Sequence, residues 1–228
     1  MEFDSFVLAA STADLDAASR ADPHADAVEF RMDLATDPLA ALDDYDGDLP
    51  ILVTNRVTWE GGEAPDGDER LDKLEAAVDH PAVEAVDVEL ESLLEDGARV
   101  AEHARDRDVA VVASVHDFQA TPDCASMREL LVTATDRADV GKLAVTAESR
   151  RDVLDLLAVT DELDAEGRTV ATMAMGEAGR HSRAVAPLYG SKIGYAPVDA
   201  ADATAPGQYD LATLSELVSE LEAESAGG

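Results

Sequence analysis

Val140-Gly141-Lys142-Leu143-Ala144-Val145 sets a lone ammonium inside a short apolar run of strand length. Removing that charge from water costs on the order of several kcal/mol unless it is paired. An amine buried without a partner escapes by giving up its proton, and a neutral amine can attack a ketone and form a Schiff base. The plain alternative is that Lys142 begins an edge strand and snorkels to solvent.

Other residues able to do chemistry recur at the ends of apolar runs. Glu29 and Arg31 end a second run, Arg56 and Glu60 follow a third, His116 ends a fifth, Arg183 follows a seventh, and Thr204 and Gln208 lie in the loop after an eighth. Brought to one rim, they would supply an amine nucleophile, an imidazole proton carrier, a carboxylate to orient it and guanidinium groups to hold an anion. Each has a structural alternative. His116, beside Asp117, could cap a helix entrance; Glu29 and Arg31 could form an internal ion pair; Arg56 and Arg183 could belong to surface pairs. Gly176 and Gly179 fit backbone geometry or a phosphate nest, and Met173 and Met175 fit strand packing with contact to a substrate ring. Asp87 and Glu89 could bind a metal, but no second cluster has metal-ligand spacing.

The elements that would position these residues alternate. Apolar runs at residues 6–10, 27–31, 51–54, 85–90, 109–115, 140–145, 169–175 and 193–196 read as strands. Nearly all are followed by helical patterns: from Ser11 and Thr12 as caps to Arg20, Pro38 to Asp43, Leu71-Leu74-Val78, Leu93 to Ala104, Met127 to Ala134, Val153 to Leu157, a start near Gly179, and Leu211 to Leu221. Fraying is expected from Glu222 onward. Eight strand-then-helix units without a linker predict one (β/α)8 barrel over residues 1–228, with an open doubly wound sheet as runner-up. In such a barrel the site lies at the C-terminal ends of the strands, where the polar residues fall.

Composition narrows the setting. The net charge is -33, spread along the chain, and only Lys73, Lys142 and Lys192 are lysines. Such a surface is tolerated where concentrated salt screens it, as in a halophile, and it is a poor match for nucleic acid or anionic membrane. The single cysteine, Cys124, rules out an internal disulfide and fits a reducing cytoplasm. The start lacks a signal-peptide pattern, and no segment approaches the ~20 apolar residues of a membrane span, so a soluble cytoplasmic protein is expected.

Seven motifs in order resemble the type I 3-dehydroquinate dehydratases. They are Glu29-Phe30-Arg31-Met32-Asp33; Thr54-Asn55-Arg56 with Glu60-Gly61-Gly62-Glu63; Asp87-Val88-Glu89-Leu90; Ser114-Val115-His116-Asp117-Phe118; Gly141-Lys142-Leu143-Ala144; Met175-Gly176 with Gly179 and Ser182-Arg183; and Ala205-Pro206-Gly207-Gln208. The resemblance implies a (β/α)8 lyase, usually a homodimer, that needs no metal or organic cofactor and converts 3-dehydroquinate to 3-dehydroshikimate. Lys142 matches the Schiff-base lysine, His116 the general acid and base, and Glu60 the carboxylate that holds the histidine. Arg183 matches the partner of the substrate carboxylate. Glu29, Arg31, Arg56 and Gln208 match substrate-binding positions, Gln208 on a loop expected to close over the site. Thr204 stands where the family usually has serine and keeps a hydroxyl for the substrate. Two other readings are a Schiff-base aldolase acting on a sugar phosphate and a barrel that has lost catalysis and serves as a binding subunit.

Overall fold

The computed structural model describes residues 1–21, 23–198 and 207–225. Its strands are β1 (Val7–Thr12), β2 (Ala27–Arg31), β3 (Ile51–Thr54), β4 (Val83–Glu89), β5 (Ala110–Asp117), β6 (Val140–Thr146), β7 (Val170–Met175) and β8 (Ile193–Pro197). They form one parallel sheet in the order β7-β6-β5-β4-β3-β2-β1-β8. The seam between β7 and β8 is drawn together by the Val170–Ser191 bridge, by Lys192 N–H donating to Val170 O at 2.8 Å, and by Thr172 N–H donating to Ser191 Oγ at 2.9 Å. The expected (β/α)8 barrel is therefore the observed architecture.

The α-helices are α1 (Pro38–Asp43), α2 (Asp68–Val78), α3 (Leu90–Leu93), α4 (Ala98–Arg105), α5 (Cys124–Thr135), α6 (Arg150–Ala165), α7 (Gly176–Gly179), α8 (Ser182–Val185) and α9 (Leu211–Ser225). Leu71, Leu74, Ala77 and Val78 of α2 and Val100, Ala101 and Ala104 of α4 fall at helical spacing and pack on the outward sides of β2 to β5. Helix α6 starts at a capping box, the Ser149 side chain accepting from the backbone of Asp152 and the Asp152 carboxylate accepting from that of Ser149.

Three expected boundaries move. Ser11 and Thr12 belong to β1 and do not cap a helix; the short 3-10 helix Leu15–Arg20 is capped by Asp14. The single helix expected near Gly179 is instead two four-residue turns, α7 and α8, followed by a 3-10 turn over Ala186–Tyr189. Helix α9 continues to Ser225, past Glu222.

The pleat then decides what faces the barrel interior, because successive side chains along a strand point to opposite sides. On β6, Leu143 and Val145 pack outward beside α5 and α6, while Val140 and Ala144 face inward, which forces Lys142 inward too. The same rule sends Ser11 inward after Val7 and Ala9, Glu29 and Arg31 after Ala27, Thr54 after Leu52, Asp87 and Glu89 after Ala85, and Ser114 and His116 after Val112. Ala171, Met173 and Met175 on β7 and Ile193 and Tyr195 on β8 complete the wall. The lower interior is apolar and the upper interior polar, from one alternation repeated around the barrel.

Candidate active site

The inward residues at the C-terminal ends of the strands surround a pocket lined by Ser11, Glu29, Arg31, Thr54, Arg56, His116, Lys142, Ala144, Met173, Met175, Arg183, Tyr195 and Gln208. Lys142 is 4% exposed, so the snorkelling alternative fails. It is also not a lone charge. Its Nζ lies 2.9 Å from Asp87 Oδ2 and 4.2 Å from the centroid of the Tyr195 ring, a carboxylate on one side and a π face on another. The other two lysines pair at the surface, Lys73 with Glu69 and Lys192 with Asp164.

Arg56 is the hub of the network that Lys142 joins through Asp87. Its guanidinium donates to Asp87 Oδ1 at 2.7 Å, Glu89 Oε1 at 3.0 Å, Glu60 Oε2 at 3.2 Å and Ser114 Oγ at 2.6 Å. Burial disfavours its charge, but Asp87, Glu89 and Glu60 outweigh burial and raise its pKa. Asp87 is pulled well below the usual carboxylate range: burial acts against this, and the Arg56 and Lys142 charges with the Ser114 hydroxyl overcome it. Glu89 in turn accepts from Arg70 at 2.8 Å. Asp87 and Glu89 are therefore occupied by Arg56, Arg70 and Lys142. Among the described residues no group of three or more His, Cys, Asp or Glu is placed to hold a metal ion.

His116 lies in β5 and does not cap a helix; it is Asp117 that accepts from the N–H groups of Gln119 and Ala120 at 2.8 and 2.9 Å. Its ring stacks on Phe118, centroids 5.9 Å apart. Burial, then the Arg56 and Lys142 charges, hold the imidazole well below its usual pKa, so it is neutral. Glu60 approaches it by an unexpected route. Glu60 Oε1 accepts the backbone N–H of His116 at 2.8 Å, while Nδ1 of the ring stands 3.7 Å away and has no hydrogen-bond partner. Burial pushes the Glu60 carboxyl up to about 8 against the pull of Arg56, as three carboxylates compete for one guanidinium.

Glu29 and Arg31 share a face but do not form the internal ion pair weighed as the structural alternative. Glu29 accepts from the hydroxyls of Ser11 and, at 3.0 Å, of Thr54, whereas Arg31 forks onto Asp33 at 2.9 and 2.7 Å. Arg183, on α8, is 5% exposed and has no carboxylate partner among the described residues; burial alone lowers its pKa to about 10, and its Nε is unpartnered. A surface ion pair is thus excluded for Arg183, as it is for Arg56. Gly176 adopts a positive φ of 82°, and a Cβ at Gly179 would lie 2.6 Å from Ala174 O, so these two glycines serve backbone geometry. Thr204 lies outside the described residues, as does most of the loop expected to close.

The structure brings Ser11, Thr54, Ser114 and Tyr195 into the site and gives Asp87, weighed from sequence as a metal ligand, the role of partner to Lys142. Period two carried through each strand would have found all five, since each stands two residues from another inward position.

Residues 6–225 match the type I 3-dehydroquinase family. The chain is 60% identical to the 3-dehydroquinate dehydratase of Haloarcula marismortui, over 99% of this chain and all of that protein. Its fold superposes on the 3-dehydroquinate dehydratase of Geobacillus kaustophilus with a TM-score of 0.87 at 28% identity, covering 97% of this chain and 93% of the other. It is similarly close to a type I 3-dehydroquinate dehydratase of Clostridium difficile with covalently modified comenic acid, TM-score 0.84 at 26% identity, covering 96% and 93% of the two chains.

Proposed function

Because the chain belongs to the type I 3-dehydroquinase family, we propose that it is a hydro-lyase that dehydrates 3-dehydroquinate to 3-dehydroshikimate through a Schiff base on Lys142. The observation that carries this reading is a buried lysine that shares one pocket with a neutral imidazole and an unpartnered buried guanidinium. Covalently modified comenic acid in the Clostridium difficile relative is in keeping with covalent chemistry at such a site.

In this mechanism Arg183 takes the substrate carboxylate, the one ligand group that would satisfy its charge. Lys142 Nζ passes a proton to the neutral His116 imidazole, the freed amine attacks the ketone carbon, the carbinolamine hydroxyl takes that proton back and leaves as water, and a cationic iminium forms beside Asp87, whose carboxylate at 2.9 Å serves as its counter-ion. His116 removes a proton from the carbon next to the iminium carbon, and the electron pair moves into the enamine. The same imidazole, now protonated, delivers that proton to the departing hydroxyl. Hydrolysis of the conjugated iminium frees the product and restores the amine. A base must begin neutral, and burial beside two cations supplies that condition for His116. Glu60 fixes the strand end that carries the imidazole by accepting its backbone N–H. Glu29, Arg31, Arg56, Gln208 and Thr204 are assigned to substrate binding, with Arg56 also holding the carboxylates that face Lys142 and His116.

The decisive test is to mix the protein with 3-dehydroquinate and borohydride in concentrated salt and to locate the reduced adduct by peptide mass spectrometry. The adduct should fall on the Lys142 peptide and be absent from Lys142→Ala, whose turnover should drop on the order of 10⁴-fold or more. No adduct on the folded wild-type protein would sink the assignment. We also read the enzyme as a cytoplasmic homodimer, and sedimentation in concentrated salt gives its mass directly.

A further inference from the structure

Gln208 lines the pocket, yet it is not on a strand or a helix, so something must fix where its amide lies. The two residues that flank it are each pinned. On one side Gly207, at φ 80°, is pressed against the turn after β7, where a Cβ at position 207 would lie 2.6 Å from Gly176 O. On the other side the half-buried ring of Tyr209 packs against the cluster of Leu211 and Leu214 from α9, and the Arg180 guanidinium carbon sits 4.2 Å over its centroid. The following residue, Asp210, accepts from the Thr213 N–H at 3.0 Å and the Thr213 hydroxyl at 2.7 Å, which ties the segment to the first turn of α9. Arg180 is exposed and belongs to the link between α7 and α8, the segment that also carries Arg183.

We propose that the Arg180–Tyr209 stack is a positioning device for Gln208, clamping residues 207–210 onto the α7–α8 turn so that the Gln208 amide and the Arg183 guanidinium meet the substrate in fixed register. The inference rests on the assignment of Gln208 to substrate binding. Neither Arg180 nor Tyr209 lines the pocket, so the pair acts through Gln208 and does not touch the substrate. A planar guanidinium over a ring is directional, which an isolated surface charge is not. A stack at an exposed position is worth a factor of roughly two to five, and that sets the size of effect to look for.

The test is a double-mutant cycle on the full chain in concentrated salt, following KM and kcat by the ultraviolet absorbance of the conjugated enone product. Arg180→Ala should raise KM roughly two- to five-fold with kcat nearly unchanged. Tyr209→Leu should match it, and Tyr209→Phe, which keeps the ring, should behave as wild type. In a Gln208→Ala background, Arg180→Ala should add nothing, because the residue it positions is gone. If the two effects multiply, Arg180 acts on its own, as a charge attracting the anionic substrate would, and the clamp is overturned while Gln208 keeps its role. A Gln208→Ala variant with wild-type KM and kcat would overturn the binding assignment and the clamp with it. Far-UV circular dichroism of each variant separates these outcomes from misfolding, and loss of activity in Tyr209→Phe would count against the ring.

Discussion

The two sides of the pocket are built on opposite electrostatic principles. On the side formed by β2 to β6, every charge is answered: Arg56 by Asp87, Glu89 and Glu60, Arg70 by Glu89, Lys142 by Asp87, and Glu29 by two hydroxyls. On the side formed by β7, α8 and β8, Arg183 has no carboxylate among the described residues and the Tyr195 hydroxyl has no partner. Charge networks completed in this way hold geometry because any shift leaves a buried charge unpaired, although Arg70 Nε and His116 Nδ1 on the same side have no hydrogen-bond partner. Incomplete ones are where a ligand gains most, since it satisfies a group that the fold has already desolvated. Under the proposed function, the paired side would be the frame that presents the amine and imidazole, and the unpaired side the receptor for the substrate's charge.

Breaking the paired side should produce the largest effect. Arg56→Met removes the cation common to three buried carboxylates and should cost about 3–5 kcal/mol of stability, read from urea unfolding in concentrated potassium chloride. Arg183→Met should do the reverse. It removes an unanswered buried charge, so stability should hold or rise, while kcat/KM falls on the order of 10- to 100-fold through KM. Equal destabilisation by the two substitutions would erase the distinction between the sides.

This contrast was only half legible in the sequence. The barrel and its site face followed from the alternation of strand and helix patterns; Lys142 and His116 stood out as polar groups in or at the end of an apolar run, and Arg183 as a cation following the seventh run. Their partners did not. Asp87 lies 55 residues from Lys142 along the chain, and no spacing rule joins them until β4 and β6 both contribute inward residues at one level. A hydroxyl after an apolar run, as at Ser11, signals a helix cap as well as a strand end, and only the pairing of Ser11 with Glu29 across β1 and β2 decides between them. Likewise, Glu29 and Arg31 were rightly placed on one face, but side chains two apart on a strand need not meet, and Arg31 turned instead to Asp33 at the strand exit.

Proton uptake sharpens the comparison further, since Glu60 and His116 meet inside the paired side with shifts of opposite sign. For His116 the folded pKa lies below the ordinary 6.5, so the unfolded chain binds the extra proton and stability falls as pH drops below about 6.5. For Glu60 the folded pKa of about 8 lies above the ordinary 4.5, so its contribution is complete below pH 4.5 and is lost as pH rises through 8. Unfolding midpoints measured from pH 5 to 9 should therefore decline toward the alkaline end in the wild type and flatten there in Glu60→Gln. A wild-type curve already flat above pH 7 would show that Arg56 keeps Glu60 ionised.

The smallest effect is expected where the unpaired side touches Lys142. The ring and the hydroxyl of Tyr195 make separable contributions: the ring lies 4.2 Å from Nζ, and the hydroxyl is buried with its hydrogen-bonding capacity unmet. Burial, with the Asp87 and Glu29 charges, keeps the phenol neutral by raising its pKa, so it does not add a charge to the site. Tyr195→Phe keeps the π face under the ammonium and removes only the unmet group. Stability should then rise by up to about 1 kcal/mol, with borohydride trapping at Lys142 unchanged. A Phe variant that is less stable in the free enzyme would mean that the hydroxyl is satisfied there by an ordered water. One that is equally stable but binds substrate more weakly would make Tyr195, which lines the same pocket as Arg183, a second open contact reserved for the ligand.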